Sequence, residues 1–369
     1  TSRTDKDCKV KLLLLSDPTS IHTKKWIAAL SQKNIEIAVF GLDLYRNDIY
    51  DEFNGVSVFS GGNSVKSSFV GKLSYLNVLS ALKKVYSEFR PDIVHAHYAT
   101  SYGLLGGMLK HSPYIISVWG SDIYDFPQRS FLHKMILKRN FSKADLILST
   151  GHKMAAETKK YTNKTISVTP FGIDTDLFIP NKNKGKDDKI IIGTVKSLEE
   201  VYGIDYLIKA FKILVKNNPN RQLELIIAGD GSLENELKIL VKKLDLEKEV
   251  RFVGRVNHNE VVDVLNQFDI YVALSNMESF GVAILEASAC EIPVVVSDTD
   301  GFKEVVEDGV TGLMVERKNP DAAAGSIQKL IDDIELRKMI GRAGRKAVLE
   351  HYNWVENVQE MVNIYDKIV

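Results

Sequence analysis

The chain has 369 residues, 44% of them hydrophobic and 26% charged, and its 48 basic and 48 acidic side chains cancel to a formal net charge of zero. That length exceeds what one core comfortably serves and points to two domains of ordinary, water-soluble composition, while the neutral balance argues against a nucleic-acid binder. No apolar run approaches the roughly 18 residues of a membrane span and nothing resembles a signal peptide. Two cysteines, Cys8 and Cys290, support neither a disulfide framework nor a thiolate metal site, which fits a reducing compartment.

In chain order, short apolar runs alternate with amphipathic stretches. A first series of buried-strand patterns covers 10–16, 35–40, 92–95, 114–118, 144–149 and 166–169, and a second covers 189–195, 223–228, 250–253, 269–274, 292–297 and 312–315. Continuous β-branched runs separated by helices mean parallel sheets covered on both faces, so each half reads as a doubly wound α/β domain. The polar stretch 181–188, preceded by Pro180, reads as a linker or exposed loop. Near the end, Trp354, Val358, Met361, Val362 and Tyr365 recur at helical spacing and mark a helix able to pack across a domain boundary.

Local charge is less even than the total. Residues 131–164 hold eight basic side chains against Asp145 and Glu157, and Phe131, Leu132, Met135 and Ile136 interleave with the cations at helical spacing. Such a helix suits an anionic membrane surface. The plainer reading, a core-facing stripe with solvated lysines, is preferred here.

The segment Glu278-Ser-Phe-Gly-Val-Ala-Ile-Leu-Glu286 follows the strand pattern at 269–274 and sets two carboxylates eight residues apart. If Ser279 to Gly281 open a helix, their backbone N–H groups and the positive dipole end form a site for phosphate. The two carboxylates could then reach hydroxyls on either side of a diphosphate, as in a nucleotide-sugar. Glu286 lies among Ile284, Leu285, Ala287 and Ala289, where an unpaired carboxylate would be costly.

Several blocks in sequential order resemble the retaining glycosyltransferases of family 4. They include Asp92-Ile-Val-His-Ala-His97, Ser117-Val-Trp-Gly-Ser-Asp122, Pro170-Phe-Gly-Ile-Asp174, Gly203-Ile-Asp-Tyr-Leu, Ile227-Ala-Gly-Asp-Gly231, Arg251-Phe-Val-Gly254, the Glu278 to Glu286 segment and Asp308-Gly-Val-Thr-Gly312. The resemblance covers nearly the whole chain and implies the GT-B fold: two doubly wound Rossmann-like domains with an interdomain cleft, of the type used in bacterial glycan and polysaccharide biosynthesis. It places an acceptor-binding domain at 1–172, with the helix at 354–369 packing back on it, and a nucleotide-sugar-binding domain at 173–353.

In that family Glu278 would contact the donor sugar and Glu286 the ribose, with backbone groups of Ser279, Phe280 and Gly281 on the diphosphate and Val253 and Gly254 beside the base. The family's pair of cations falls at Lys196 and Tyr202, so only Lys196 brings a charge and Tyr202 is expected to offer a hydroxyl. Arg255 or Lys303 are candidates to make up the deficit. Glu291 and Asp300 stand where relatives carry glycine, and both read as turn residues.

On the acceptor side, His97 ends its strand pattern and is implied as a residue near both sugar and acceptor, whereas His95 alternates into the fold. Trp119 replaces a frequent histidine. Asp122 is expected either to orient an acceptor hydroxyl or to cap the next helix, with Ser121 and His22 beside the acceptor; Trp26 could line it or belong to the core. The implied reaction retains anomeric configuration and uses a UDP-sugar, with GDP second, and a glycan or lipid-linked acceptor. Catalysis would rest on positioning and on charge stabilisation by Lys196, Glu278 and His97, with no metal and no cofactor. A cytoplasmic location is expected, either free or peripheral to the inner membrane face. A hydrolysing nucleotide-sugar epimerase and a noncatalytic binding subunit of the same fold are the alternatives.

Overall fold

The computed structural model describes residues 9–46, 48–62, 71–181 and 189–369. Cys8 and residues 182–188 of the linker expected at 181–188 lie outside the described residues. By its contacts the chain divides into one unit of Thr1–Pro170 with Asn357–Val369 and a second of Phe171–Glu356.

The first unit holds a parallel seven-stranded sheet: β1 (Val10–Leu15), β2 (Ile35–Gly41), β3 (Val56–Ser60), β4 (Ile93–His97), β5 (Tyr114–Val118), β6 (Leu146–Ser149) and β7 (Ile166–Val168). Their order is β3-β2-β1-β4-β5-β6-β7, all parallel. β4 and β5 are buried along their whole length, as expected of strands covered by helices on both faces. The strand missed in the sequence is β3, an edge strand whose Val-Ser-Val-Phe-Ser is interrupted by serines and is only partly buried.

The second unit repeats the plan with β8 (Lys189–Val195), β9 (Gln222–Ala228), β10 (Val250–Gly254), β11 (Ile270–Ala273), β12 (Val294–Ser297) and β13 (Leu313–Val315), in the parallel order β10-β9-β8-β11-β12-β13. Helix Ile204–Asn217 buries Ile204, Leu207, Ile208, Phe211 and Leu214 against this sheet's core. In both sheets the chain builds outward on one side and then returns to the other, between β1 and β4 and between β8 and β11. Such reversals splay the loops beyond the strand ends and are where open parallel sheets bind ligands.

One expectation is corrected. Helix Phe131–Lys143 starts at Ser130, which caps it, but its core contacts are Leu137, Asn140 and Phe141. At about 100° per residue these lie opposite the stripe assigned to the interior. Phe131, Leu132 and Met135 are instead 77%, 62% and 51% exposed.

The helix Trp354–Ile368 buries Val358, Met361, Ile364 and Tyr365. The Tyr365 hydroxyl shares a 2.8 Å hydrogen bond with His95 Nδ1, and His95 Nε2 shares one of 2.7 Å with Ser117 Oγ. His95 therefore points into the fold with both nitrogens satisfied. Tyr365→Phe leaves one of them unpartnered in a buried site, which costs about 1–3 kcal/mol. A lower urea midpoint for this variant, against no change for substitution of exposed Glu360, checks it.

Candidate active site

β8 ends at Val195 and the next residue, Lys196, donates its backbone N–H to Ala228 O at the end of β9 (3.0 Å). Gly229 follows with φ of 138°, and a side chain there would meet Lys196 O at 1.9 Å, so only glycine lets the two strand ends meet this closely. On the other side of the reversal, the loop after β11 is tied down by Asn276, whose backbone N–H donates to Val201 O and whose side chain donates to Glu200 O (2.8 and 2.9 Å). Gly301 N–H donates to Glu278 O at 3.1 Å.

These ties bring the Lys196 ammonium to 2.5 Å from Glu278 Oε2, with both side chains largely buried. The ammonium also lies 4.8 Å from the Tyr202 ring centre and 5.7 Å from that of Phe302. Burial works against the charge, but Glu278, Tyr271 and Tyr202 outweigh it and hold Lys196 above the ordinary lysine value. Tyr202, expected to contribute a hydroxyl, contributes its ring face.

Beyond the ends of β8, β9 and β10 lies an open pocket of about 510 Å³ lined by Lys196, Ser197, Tyr202, Gly229, Asp230 and Arg255 among others. Arg255 is thus in one pocket with Lys196, and Lys303 is not among its walls. The helix after the loop is Val282–Ala289, preceded by Gly281 at φ of 109°. It begins after Ser279 and Phe280 rather than with them, which puts Glu286 just over one turn in. Val282 and Ala283 precede the first intrahelical bonds, which run from Ile284 and Leu285 to Gly281 O. Phe280 itself is buried against Phe171 and Tyr352. Glu286 is buried, with His258 Nδ1 3.9 Å from its Oε1.

Val253, 38% exposed, and Gly254 end β10, and Gly254 O accepts from Gly229 N–H at 2.8 Å. Glu291 follows the helix at φ of 62°, with Ile292 N–H bonded to Ala287 O at 3.1 Å, so it closes the helix in left-handed geometry. Asp300 sits in a turn without that geometry. Sequence reasoning gave no role to Gly229 and Asp230, although their Gly-Asp-Gly block was recognised, nor to His258 and Phe302, which arrive only by folding.

In the first unit the reversal between β1 and β4 is occupied by a buried polar chain. Thr23 Oγ1 and Ser16 Oγ are 2.7 Å apart, and Ser16 Oγ lies 2.9 Å from His97 Nδ1. The His97 ring packs on Trp119 at 4.1 Å between centres, and His22 meets the edge of the same indole at 6.0 Å. Trp26 is core, 4% exposed. The Asp122 carboxylate, offered in the sequence to either an acceptor or a cap, accepts from the backbone N–H groups of Ala99, Trp119 and Gly120 at 2.8, 3.2 and 2.9 Å. It joins the loops after β4 and β5, leaving Ser121 exposed at the rim of a pocket of about 390 Å³ that also includes Thr100, Arg129 and His133.

Two doubly wound parallel sheets, each with a polar site at its strand reversal, define the GT-B class of glycosyltransferase. Residues 176–347 match the family described as Glycosyl transferases group 1, and residues 11–151 match Glycosyl transferase 4-like. Both matched families are glycosyltransferases, and the chain is a glycosyltransferase. It is 28% identical to an uncharacterised glycosyltransferase of Methanocaldococcus jannaschii over 94% of this chain and 93% of that one. It is also 28% identical to a D-inositol 3-phosphate glycosyltransferase of Corynebacterium jeikeium, covering 75% and 72%. Among solved structures, Anabaena HepE in complex with UDP superposes with a TM-score of 0.81 at 18% identity, covering 97% of this chain and 100% of that one.

Burial pushes His95 down to about 3 and His97 well below the ordinary histidine value, the latter helped by His95 and His22. Both are folded as neutral imidazoles. A base with a depressed folded pKa stabilises fully above its unfolded value of about 6.5, and the contribution is lost as pH falls below it. Urea unfolding of the chain should therefore weaken by up to about 1.4 kcal/mol per pH unit for each imidazole below about pH 6.5, and His97→Gln should flatten that slope.

Proposed function

We propose that this chain is a retaining transferase that moves a sugar from a nucleoside-diphosphate sugar, UDP first and GDP second, to a hydroxyl of a glycan or lipid-linked saccharide. The observation that carries the reading is the buried Lys196–Glu278 pair at the β8/β11 reversal, 2.5 Å apart beside a pocket that also holds Arg255. A cation there can take the charge that develops on a departing diphosphate, and the start of helix Val282–Ala289 adds backbone N–H groups and dipole. HepE, which shares the fold, has been solved with UDP and with UDP-glucose.

In this reading Glu278 binds the donor sugar, Glu286 the ribose, and Val253 and Gly254 the edge of the base. The backbone of Ser279, Phe280 and Gly281 lies along the diphosphate. His97, with His22 and Ser121, serves the acceptor, and Asp122 holds the loop that carries Ser121. The acceptor oxygen attacks the anomeric carbon on the face from which the diphosphate departs, and the hydroxyl proton passes to the leaving phosphate oxygen. No metal is required, because Lys196 and the helix start supply the positive potential. The reaction runs on the cytoplasmic side of the membrane.

Thermal shift with UDP, GDP and ADP tests the donor. A ligand at a hundred times its Kd stabilises by about 2.7 kcal/mol, so UDP should raise the unfolding temperature most. Lys196→Gln should lose that shift and lower kcat by about a hundredfold or more. A variant with unchanged turnover, or a wild-type chain that interconverts its sugar nucleotide without any acceptor, would show the assignment to be wrong.

A further inference from the structure

Helix Phe131–Lys143 has three faces. Leu137, Asn140 and Phe141 enter the core. His133 and Ile136 line the pocket beyond β4 and β5 that also includes Ser101 and Ser121. The remaining face is turned to water, and at about 100° per residue it gathers Phe131, Leu132 and Met135 in its first turns and Lys138, Arg139 and Ser142 in its last.

The apolar end and the cationic end of this face belong to one surface. Phe131, Leu132 and Met135 are each more than half exposed, which is an unusual cluster for a face that meets only water. At the other end, Lys138, Lys159, Lys160 and Lys164 line an open depression of about 540 Å³. Lys160 is paired with Glu157 at 2.6 Å, and Lys164 caps the helix through Ser142 O and Ala144 O. Even so, the excess is positive: eight cations against two carboxylates between residues 131 and 164, in a chain whose total charge is zero. Positive charge concentrated beside exposed Phe, Leu and Met side chains is complementary to a bilayer, whose anionic headgroups meet the cations while the apolar side chains enter the acyl boundary.

We propose that this outward face of helix Phe131–Lys143, with the lysine-lined depression at its end, docks on an anionic lipid surface. The same helix walls the pocket with His133 and Ile136, so docking sets that pocket at the membrane. Combined with the transferase reading, on which this last step rests, a lipid-linked acceptor reaches Ser121 along the surface rather than from solution.

Cosedimentation of the full chain with vesicles tests the docking without using the reaction. The chain is expected to bind phosphatidylglycerol–phosphatidylcholine vesicles, to bind phosphatidylcholine alone far less, and to release as salt rises. Lys138→Glu with Arg139→Glu should weaken the partition by about fivefold or more for each cation removed. Phe131→Ser with Leu132→Ser should abolish it while leaving the unfolding temperature unchanged, since both side chains are already exposed. The UDP-dependent thermal shift should survive in both variants, so loss of vesicle binding and loss of donor binding are read separately. Equal binding to both vesicle types, or undiminished binding by either variant, would overturn the proposal. So would a dimer in gel filtration that Phe131→Ser dissolves, with no vesicle binding by the wild type, because the face would then be covered by a second copy.

Discussion

The second unit is organised around a lysine and a glutamate that meet out of water. Taking both charges from solvent is expensive, and their attraction compensates only if the geometry is held. Here it is held from several directions: strand ends joined through Gly229, a loop pinned by Asn276, a glycine seated on Glu278, and two aromatic rings around the ammonium. Each is a local device of ordinary kind. Together they fix a positive charge where the sheet order reverses, and a transferase that works by electrostatic stabilisation needs its charge in place before the reaction begins.

The aromatic rings bear on how the site is built with one lysine where the family resemblance leads one to expect two cations. A second cation beside Lys196 would repel it and would need its own counter-charge. A tyrosine ring attracts the first ammonium without adding charge, and leaves the outer wall of the pocket to Arg255. The site keeps positive potential with a different distribution of it.

How much of this was legible in the sequence depends on the range of the interaction. Strands buried on both faces announce themselves as continuous apolar runs, so twelve of the thirteen strands among the described residues are placed within a few residues, and the half-buried edge strand β3 is the one of these that escapes. The helical spacing of Phe131, Leu132, Met135 and Ile136 announced a helix but not its orientation, because apolar side chains lie on opposite sides of it and only packing decides which are core. The carboxylates of Glu278 and Glu286 were visible as a spaced pair, whereas His258 beside Glu286 and Phe302 beside Lys196 are brought there by short helical segments distant in the chain. Asp122 was ambiguous for a different reason: a carboxylate after a strand serves a ligand or a loop equally well until its hydrogen-bond partners are seen.

The His95–Tyr365 bond joins residues 270 positions apart and closes the first unit with the last helix of the chain. On the ribosome, the sheet from β1 to β7 emerges long before the helix that covers His95, and the entire second unit is made in between. The first unit must therefore wait with a buried-to-be histidine uncovered until the helix carrying Tyr365 is made, while the second, contiguous from Phe171 to Glu356, can complete itself without it. Completion of the first unit therefore follows completion of the second. A chain cut between Glu356 and Tyr365 would carry a complete second unit and a first unit whose His95 is left without its cover.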